Sequence, residues 1–279
     1  MMMTDSWADR RPDAPPRISG EEWALRCQLA DCFNLFYFLG WTEAIFNHIT
    51  VRVPGAARHY LLNPFGLLYE EVTPDNILKV DIDGTIIGVS AYPANLAGYI
   101  IHGAIHAARD DAHCVMHVHT DAGMAVACKA AGLSHDNFYG AQLAGHVGYH
   151  DFEGVASNID ERPRLVAALG DKDVLIMRNH GVLVVGPDVP RTFRLLWTLQ
   201  RACEVQAAAG AIAGPDIALS EAVLRSTASD SAMSEAVLRN TAITHAKFEA
   251  TDRIAEMQFA AMVRRMRRET GTGRPHTNR

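Results

Sequence analysis

Apolar residues recur with helical spacing early in the chain. Trp23, Leu25, Cys27, Leu29, Ala30, Phe33, Phe36 and Leu39 follow Ser19, a good N-cap, with Glu21 and Glu22 in the first turn. A helix to about Leu39 is expected, with Gly40 as its stop. Short β-rich runs come next, at Ile49–Val53, Tyr60–Leu62 and Ile77–Ile82, and Asp83-Gly84 signals a hairpin. The pattern then predicts a helix from Asn95 to Arg109, a buried strand from His113 to His119 and a helix from Ala122 to Ala131. A short helix follows from Glu161 to Leu169. Strands at Val174–Met177 and Val182–Val185 flank the turn Arg178-Asn179-His180-Gly181, and a long helix runs from about Val189 to Ala213. Early hairpins mixed with helices predict an α/β fold with a mostly antiparallel central sheet covered by helices.

Outside that unit the pattern changes. Residues 1–18 are polar, hold Pro12, Pro15 and Pro16, and read as a flexible tail. The helices and strands of that unit make up one domain, placed at 19–213. Residues 214–245 read as a linker or short helical arm in which Ser220–Arg225 (SEAVLR) recurs as Ser234–Arg239; two copies are too few for a solenoid. Residues 246–279 read as a last helix, about Ala246 to Arg268, and a tail. Its Ala255, Phe259, Met262 and Met266 share a face. Arg264, Arg265, Arg267 and Arg268 suit a helix C-terminus and need not be a binding patch.

Bulk composition removes several classes. The 279 residues are 48% hydrophobic, enough for a core without staples, and the net charge of −6 with mixed signs points to neither nucleic acid nor an anionic membrane. Five scattered cysteines without CxxC spacing argue against a disulfide framework and fit a reducing cytoplasm. Neither a signal peptide nor a run of roughly 20 apolar residues is evident.

The strongest chemical signal is Cys114-Val-Met-His117-Val-His119-Thr120. Residues i and i+2 of a strand share a face, so two imidazoles converge at its end, a common way to offer two nitrogens to a metal; taken alone the pair reads equally as ordinary hydrogen-bonded histidines. His180 adds a third, in a tight turn where Gly181 frees the backbone and the ring is exposed. His102 and His106 share a helical face but lack the Glu of a His-Glu-x-x-His site, and His106 reads as support or core. Tyr139, His146, Tyr149, His150 and Glu153 could line the site or equally brace the sheet.

From about residue 20 to 210 the chain resembles the class II aldolase/adducin superfamily. The segments that carry the resemblance are Asn47-His-Ile-Thr50-Val-Arg52, Asn95-Leu-Ala-Gly98-Tyr-Ile-Ile-His102, His117-Val-His119-Thr and Arg178-Asn-His180-Gly181. The resemblance implies that His117, His119 and His180 hold a divalent metal, and that Asn47 and Thr50 lie on a loop that grips a substrate phosphate. It also implies a homotetramer with sites near subunit interfaces, completed by the apolar face of the last helix. One position departs from the aldolases. Their catalytic glutamate stands four residues before the histidine matching His102, where this chain has Gly98. No carboxylate lies between Val89 and Arg109, so the usual base is missing.

The expected function is therefore a metal enzyme without that glutamate. Within the superfamily the chain resembles the aldolase-like decarboxylases and non-haem iron oxygenases of aminocoumarin antibiotic biosynthesis. That implies Fe(II) in preference to Zn(II), and oxidative decarboxylation of an aromatic α-keto or α-hydroxy acid such as a prenylated 4-hydroxyphenylpyruvate. His102 and Tyr139 are then the catalytic candidates. Asn47, Thr50 and Gly98 are the substrate-binding ones, with the ring in the space left at Gly98. Two other expectations stand beside it: a lyase acting on a small sugar phosphate or hydroxy acid, with Tyr139 or Glu153 as base, and a non-catalytic adducin-like assembly domain.

Overall fold

The computed structural model describes residue 15 and residues 18–55, 58–154, 158–231 and 242–271. A seven-stranded sheet organises the chain, in the order β3-β2-β1-β4-β7-β6-β5. Its strands are β1 (His48–Arg52), β2 (Tyr60–Leu62), β3 (Leu78–Val80), β4 (Cys114–Val118), β5 (Val147–His150), β6 (Val174–Met177) and β7 (Gly181–Gly186). Every pairing is antiparallel except β5 with β6, which is parallel. The α/β class and the mostly antiparallel sheet follow the hydrophobic pattern closely.

Helix α1 (Gly20–Leu39) begins where expected: the Ser19 side chain accepts from Glu22 N, and Gly40 closes the helix at φ 72°. The predicted Asn95–Arg109 helix is present but not uniform. It runs as α2 (Leu96–Gly98), a π-helical turn (Tyr99–Gly103) and α3 (Ala104–Ala108), with Asn95 capping Ala97 N. Such single π turns are rare and often mark functional positions. Helices α4 (Asp121–Ala127), α5 (Phe138–Ala141), α6 (Arg162–Leu169), α7 (Val189–Ala209), α8 (Glu221–Ser231) and α9 (Ala242–Thr270) complete the chain.

Period-2 alternation sorts each strand between two cores. One face of the sheet sends Ile49, Val51, Met116, Val118, Val182 and Val184 into a core shared with α1, α4, α7 and α9. The other sends Val115, Leu183 and Val185 against Ile101 and Ile105 of the α2–α3 helix and Leu165 and Leu169 of α6. His48, Thr50 and His117 alternate onto this second face. The fold thus slides a histidine-bearing helix over a histidine-bearing sheet.

β5 and α5 have too few residues to stand out in the pattern. α8 lies in the segment expected as a linker or short helical arm and carries most of the first SEAVLR copy, while the second lies outside the described residues. Most of residues 1–18 also lie outside them. The apolar face of α9 is not spare surface: Phe259, Val263 and Met266 are buried in the first core.

Candidate metal centre

His117 is the penultimate residue of β4 and His119 follows the strand directly, so strand geometry puts both rings on one side. Opposite them, the β6–β7 turn delivers His180. One imidazole nitrogen from each of His117, His119 and His180 lies within 4.8 Å of the others. Nε2 of His117 and Nε2 of His119 are 2.9 Å apart. His117 Nδ1 donates to Val182 O at 3.0 Å, which fixes the tautomer and leaves Nε2 with its lone pair. Burial pushes the proton affinity of all three down, to about 4 for His180, so each is a neutral donor at neutral pH. Three converging neutral imidazoles suit a divalent transition ion with open positions.

The turn that presents His180 is built differently from the sequence expectation. Asn179, not Gly181, takes the left-handed conformation, at φ 54°. Glycine is needed at 181 for room: a Cβ there would stand 2.7 Å from Val118 O, 2.8 Å from His119 Cδ2 and 3.2 Å from His117 Cε1.

Behind the triad lies a series of buried polar groups that sequence reasoning resolved only in part. His48 faces His102, with Nδ1 and Nε2 2.8 Å apart. Thr50 Oγ1 stands 2.8 Å from both His102 Nδ1 and His106 Nε2. His106 Nδ1 then meets Ala112 O at 2.9 Å. The series touches the triad through His48, whose ring is 5.2 Å from that of His117. Burial lowers the proton affinity of His48 and His106 to about 3 and holds that of His102 well below the ordinary histidine value, so all three rings are neutral.

These contacts revise four sequence-based assignments. Thr50 is fully buried on β1 between two imidazoles, so it does not grip a phosphate. His102 is also fully buried with both nitrogens engaged, and its hydrogen bond on the triad side goes to His48. Gly98 leaves no vacancy for an aromatic ring, because a Cβ there would already meet Leu62 Cδ1 at 3.3 Å and His48 Cγ at 3.4 Å. Tyr139 packs on the first core, with the Arg201 guanidinium 5.5 Å from its ring and Phe138 edge-on. That removes it from the face that carries His48 and His102.

Asn47 keeps its candidacy. It is buried at φ 67°, and neither amide atom has a hydrogen-bond partner among the described residues; Asn63, which the sequence did not single out, is in the same state. Leaving such groups unpaired costs about 1–3 kcal/mol each, a cost that a polar ligand would remove. The remaining polar candidates are braces. His146 pairs with Asp173, Tyr149 OH accepts from Leu133 N, and Glu153 pairs with Arg164. His150 Nε2 and Glu161 Oε1 form a buried pair at 2.9 Å whose field reaches His180. Phe152, half exposed, stands beside His180 with ring centroids 6.2 Å apart. No described helix is long and apolar enough to cross a membrane.

Comparison with known proteins gives a consistent picture. Residues 27–207 match the family model for the class II aldolase and adducin N-terminal domain. A protein of Caulobacter vibrioides named "Putative aldolase class 2 protein" is 41% identical over 204 residues, 73% of this chain and 79% of that one. Rat alpha-adducin is 43% identical over 199 residues, which cover 70% of this chain but 27% of the adducin. Among solved structures, an aldolase II superfamily protein from Pseudomonas syringae superposes with a TM-score of 0.75 at 39% identity, over 87% of this chain and 96% of that one. The L-fuculose 1-phosphate aldolase from Glaciozyma antarctica gives 0.73 at 25% identity, over 94% and 95%.

Proposed function

Because the chain belongs to the class II aldolase and adducin N-terminal domain family, we propose that it is a metal-dependent lyase. Its substrate would be a small hydroxy acid or sugar phosphate that chelates an ion held by His117, His119 and His180. The observation that carries this reading is the triad itself, with a fixed His117 tautomer and three neutral donors. A divalent ion bound there would act as a Lewis acid on the substrate oxygens. The chain supplies the rest. The unpaired amides of Asn47 and Asn63 offer donors to the anionic end of a ligand. His48 fills the space beside Gly98, where a glutamate base would otherwise project. No carboxylate is available from that helix, so proton handling falls to imidazoles rather than to a carboxyl group.

A second reading is Fe(II)-dependent oxidative decarboxylation of an aromatic α-keto or α-hydroxy acid. The all-neutral donor set favours it, since it leaves the ion its full charge and open positions. A closed space at Gly98 counts against a bulky ring in that spot. We also propose a homotetramer, with exposed Phe152 near a subunit boundary beside the centre.

Metal analysis of the purified protein, then turnover of hydroxy acids, sugar phosphates and aryl-pyruvates under air and under argon, tests the reading. Metal-dependent turnover that is equal in both atmospheres is expected. Oxygen uptake with an aryl-pyruvate and Fe(II) would replace the first reading with the second. A protein that binds no metal would favour an adducin-like assembly role instead.

A further inference from the structure

The series of hydrogen bonds behind the centre has a direction, and one carbonyl sets it. Ala112 O can only accept, so His106 Nδ1, 2.9 Å away, carries a proton. A neutral ring has one N–H, which leaves His106 Nε2 as an acceptor for the single hydroxyl proton of Thr50 at 2.8 Å. Thr50 Oγ1 then has no proton to offer His102, whose Nδ1 must donate to it. That leaves His102 Nε2 as an acceptor, and His48 Nδ1 donates to it at 2.8 Å. The last ring is therefore protonated on Nδ1 and bare on Nε2.

The bare nitrogen belongs to the ring that adjoins the centre. The two nitrogens of an imidazole point in broadly opposite directions, so His48 Nε2 faces away from His102. The register of β1 against β4 pairs His48 with His117, and the two rings lie 5.2 Å apart. Nε2 of His48 has no hydrogen-bond partner among the described residues.

We infer that His48 Nε2 is a fixed hydrogen-bond acceptor beside the His117–His119–His180 centre, and that it selects ligands with a hydroxyl next to a carboxylate over the corresponding keto acids. The ligand half of this inference rests on the metal-centred reading above; the tautomer half does not. A hydroxyl can donate to Nε2. A keto oxygen cannot, and would set one lone pair against another. Sites that hydrogen-bond a substrate hydroxyl discriminate strongly against analogues that lack it. Thr50, His102 and His106 are positioning residues, because they act through His48. The same logic explains a buried threonine among histidines: its one proton relays the direction that Ala112 O sets.

The tautomers are read directly, without metal or turnover. In metal-free protein labelled with ¹⁵N-histidine, long-range proton–nitrogen spectra at pH 7.5 should show His48, His102 and His106 each as the Nδ1–H form. Thr50→Val should leave His48 without a single tautomer, and Thr50→Ser should restore it. An Nε2–H His48 in the wild type overturns the inference. The ligand arm uses zinc-loaded protein titrated with lactate and with pyruvate. The wild type should prefer lactate by about tenfold or more, and Thr50→Val should lose that preference while Thr50→Ser keeps it. Equal affinities, tighter pyruvate, or no measurable binding of either overturns the selection claim. A wild type that holds no zinc overturns it together with the metal-centred reading, and the tautomer spectra tell those two failures apart.

Discussion

His117, His119 and His180 take up their places by different local means, and each leads to its own outcome on substitution. The first two need only the period of a strand, and the third needs a turn that reverses within three residues. Alanine at any one of them removes a donor, so most bound metal should be lost, as read by elemental analysis after gel filtration. His106→Ala should retain metal, since His106 bonds Thr50 and Ala112 O rather than the centre. Full occupancy in any triad variant would refute the assignment. Gly181→Ala tests the turn itself. The added methyl would stand 2.7 Å from Val118 O, a backbone atom, so strand or turn must shift. An affinity loss of about 10–100-fold is expected, the range typical for disturbing the support of a ligand. Unchanged metal affinity would show that the turn has slack. The triad was legible in the sequence because strand period is a local rule and the family resemblance joined the turn histidine to the pair; the backbone conformation of that turn was not. His48, Thr50 and the closed space at Gly98 were not, because their roles depend on which helix lies over β1, and nothing within a few residues of them encodes that.

At the scale of elements, β1 and the α2–α3 helix meet through imidazoles where most sheets and helices meet through hydrocarbon. His48 and Thr50 on the strand face His102 and His106 on the helix, and all four are buried. The helix was readable from its spacing; its π turn at Tyr99–Gly103, which carries His102, was not, since a π turn leaves the polar–apolar pattern nearly unchanged. This interface makes stability depend on pH. Burial depresses the folded-state values of His48 and His106 to about 3, against about 6.5 in the unfolded chain. Below pH ~6.5 the unfolded chain therefore binds protons that the folded one refuses, and stability falls as pH drops toward 3. Each such ring contributes up to about 1.4 kcal/mol per pH unit within that window. Urea unfolding of metal-free protein should show a clearly lower midpoint at pH 5 than at pH 7.5, with little change from 7.5 to 8.5. A midpoint that does not move between pH 7.5 and 5 would mean that these rings are not buried neutral.

For the molecule as a whole, the last helix decides how far the folded unit extends. Its amphipathic face was legible in the sequence, but the partner of that face was not, because a helical stripe looks the same whether it packs on its own chain or on a neighbour. In the structure α9 closes over α1 and α7. Phe259 packs edge-on against Phe193 at 5.6 Å, and Arg267 pairs with Asp31 at 2.6 Å. Ala255, Phe259, Val263 and Met266 are all nearly inaccessible within the single chain. The helix therefore completes the first core, which also backs β4 and β7, the strands that frame the histidine triad. Truncating Phe259 to alanine should cost about 3–5 kcal/mol, the usual range for a buried phenylalanine. The way that cost depends on concentration tells the two packing modes apart. If α9 belongs to its own chain's core, the loss is the same at every protein concentration, and sedimentation gives the wild-type assembly state. If the face instead served a subunit boundary, the loss would grow on dilution, because association and folding would be linked by mass action. Urea midpoints of wild type and Phe259→Ala, each taken over a hundredfold range of protein concentration, make the distinction; a gap between them that stays constant is the expected result, and one that widens on dilution would return the helix to the interface.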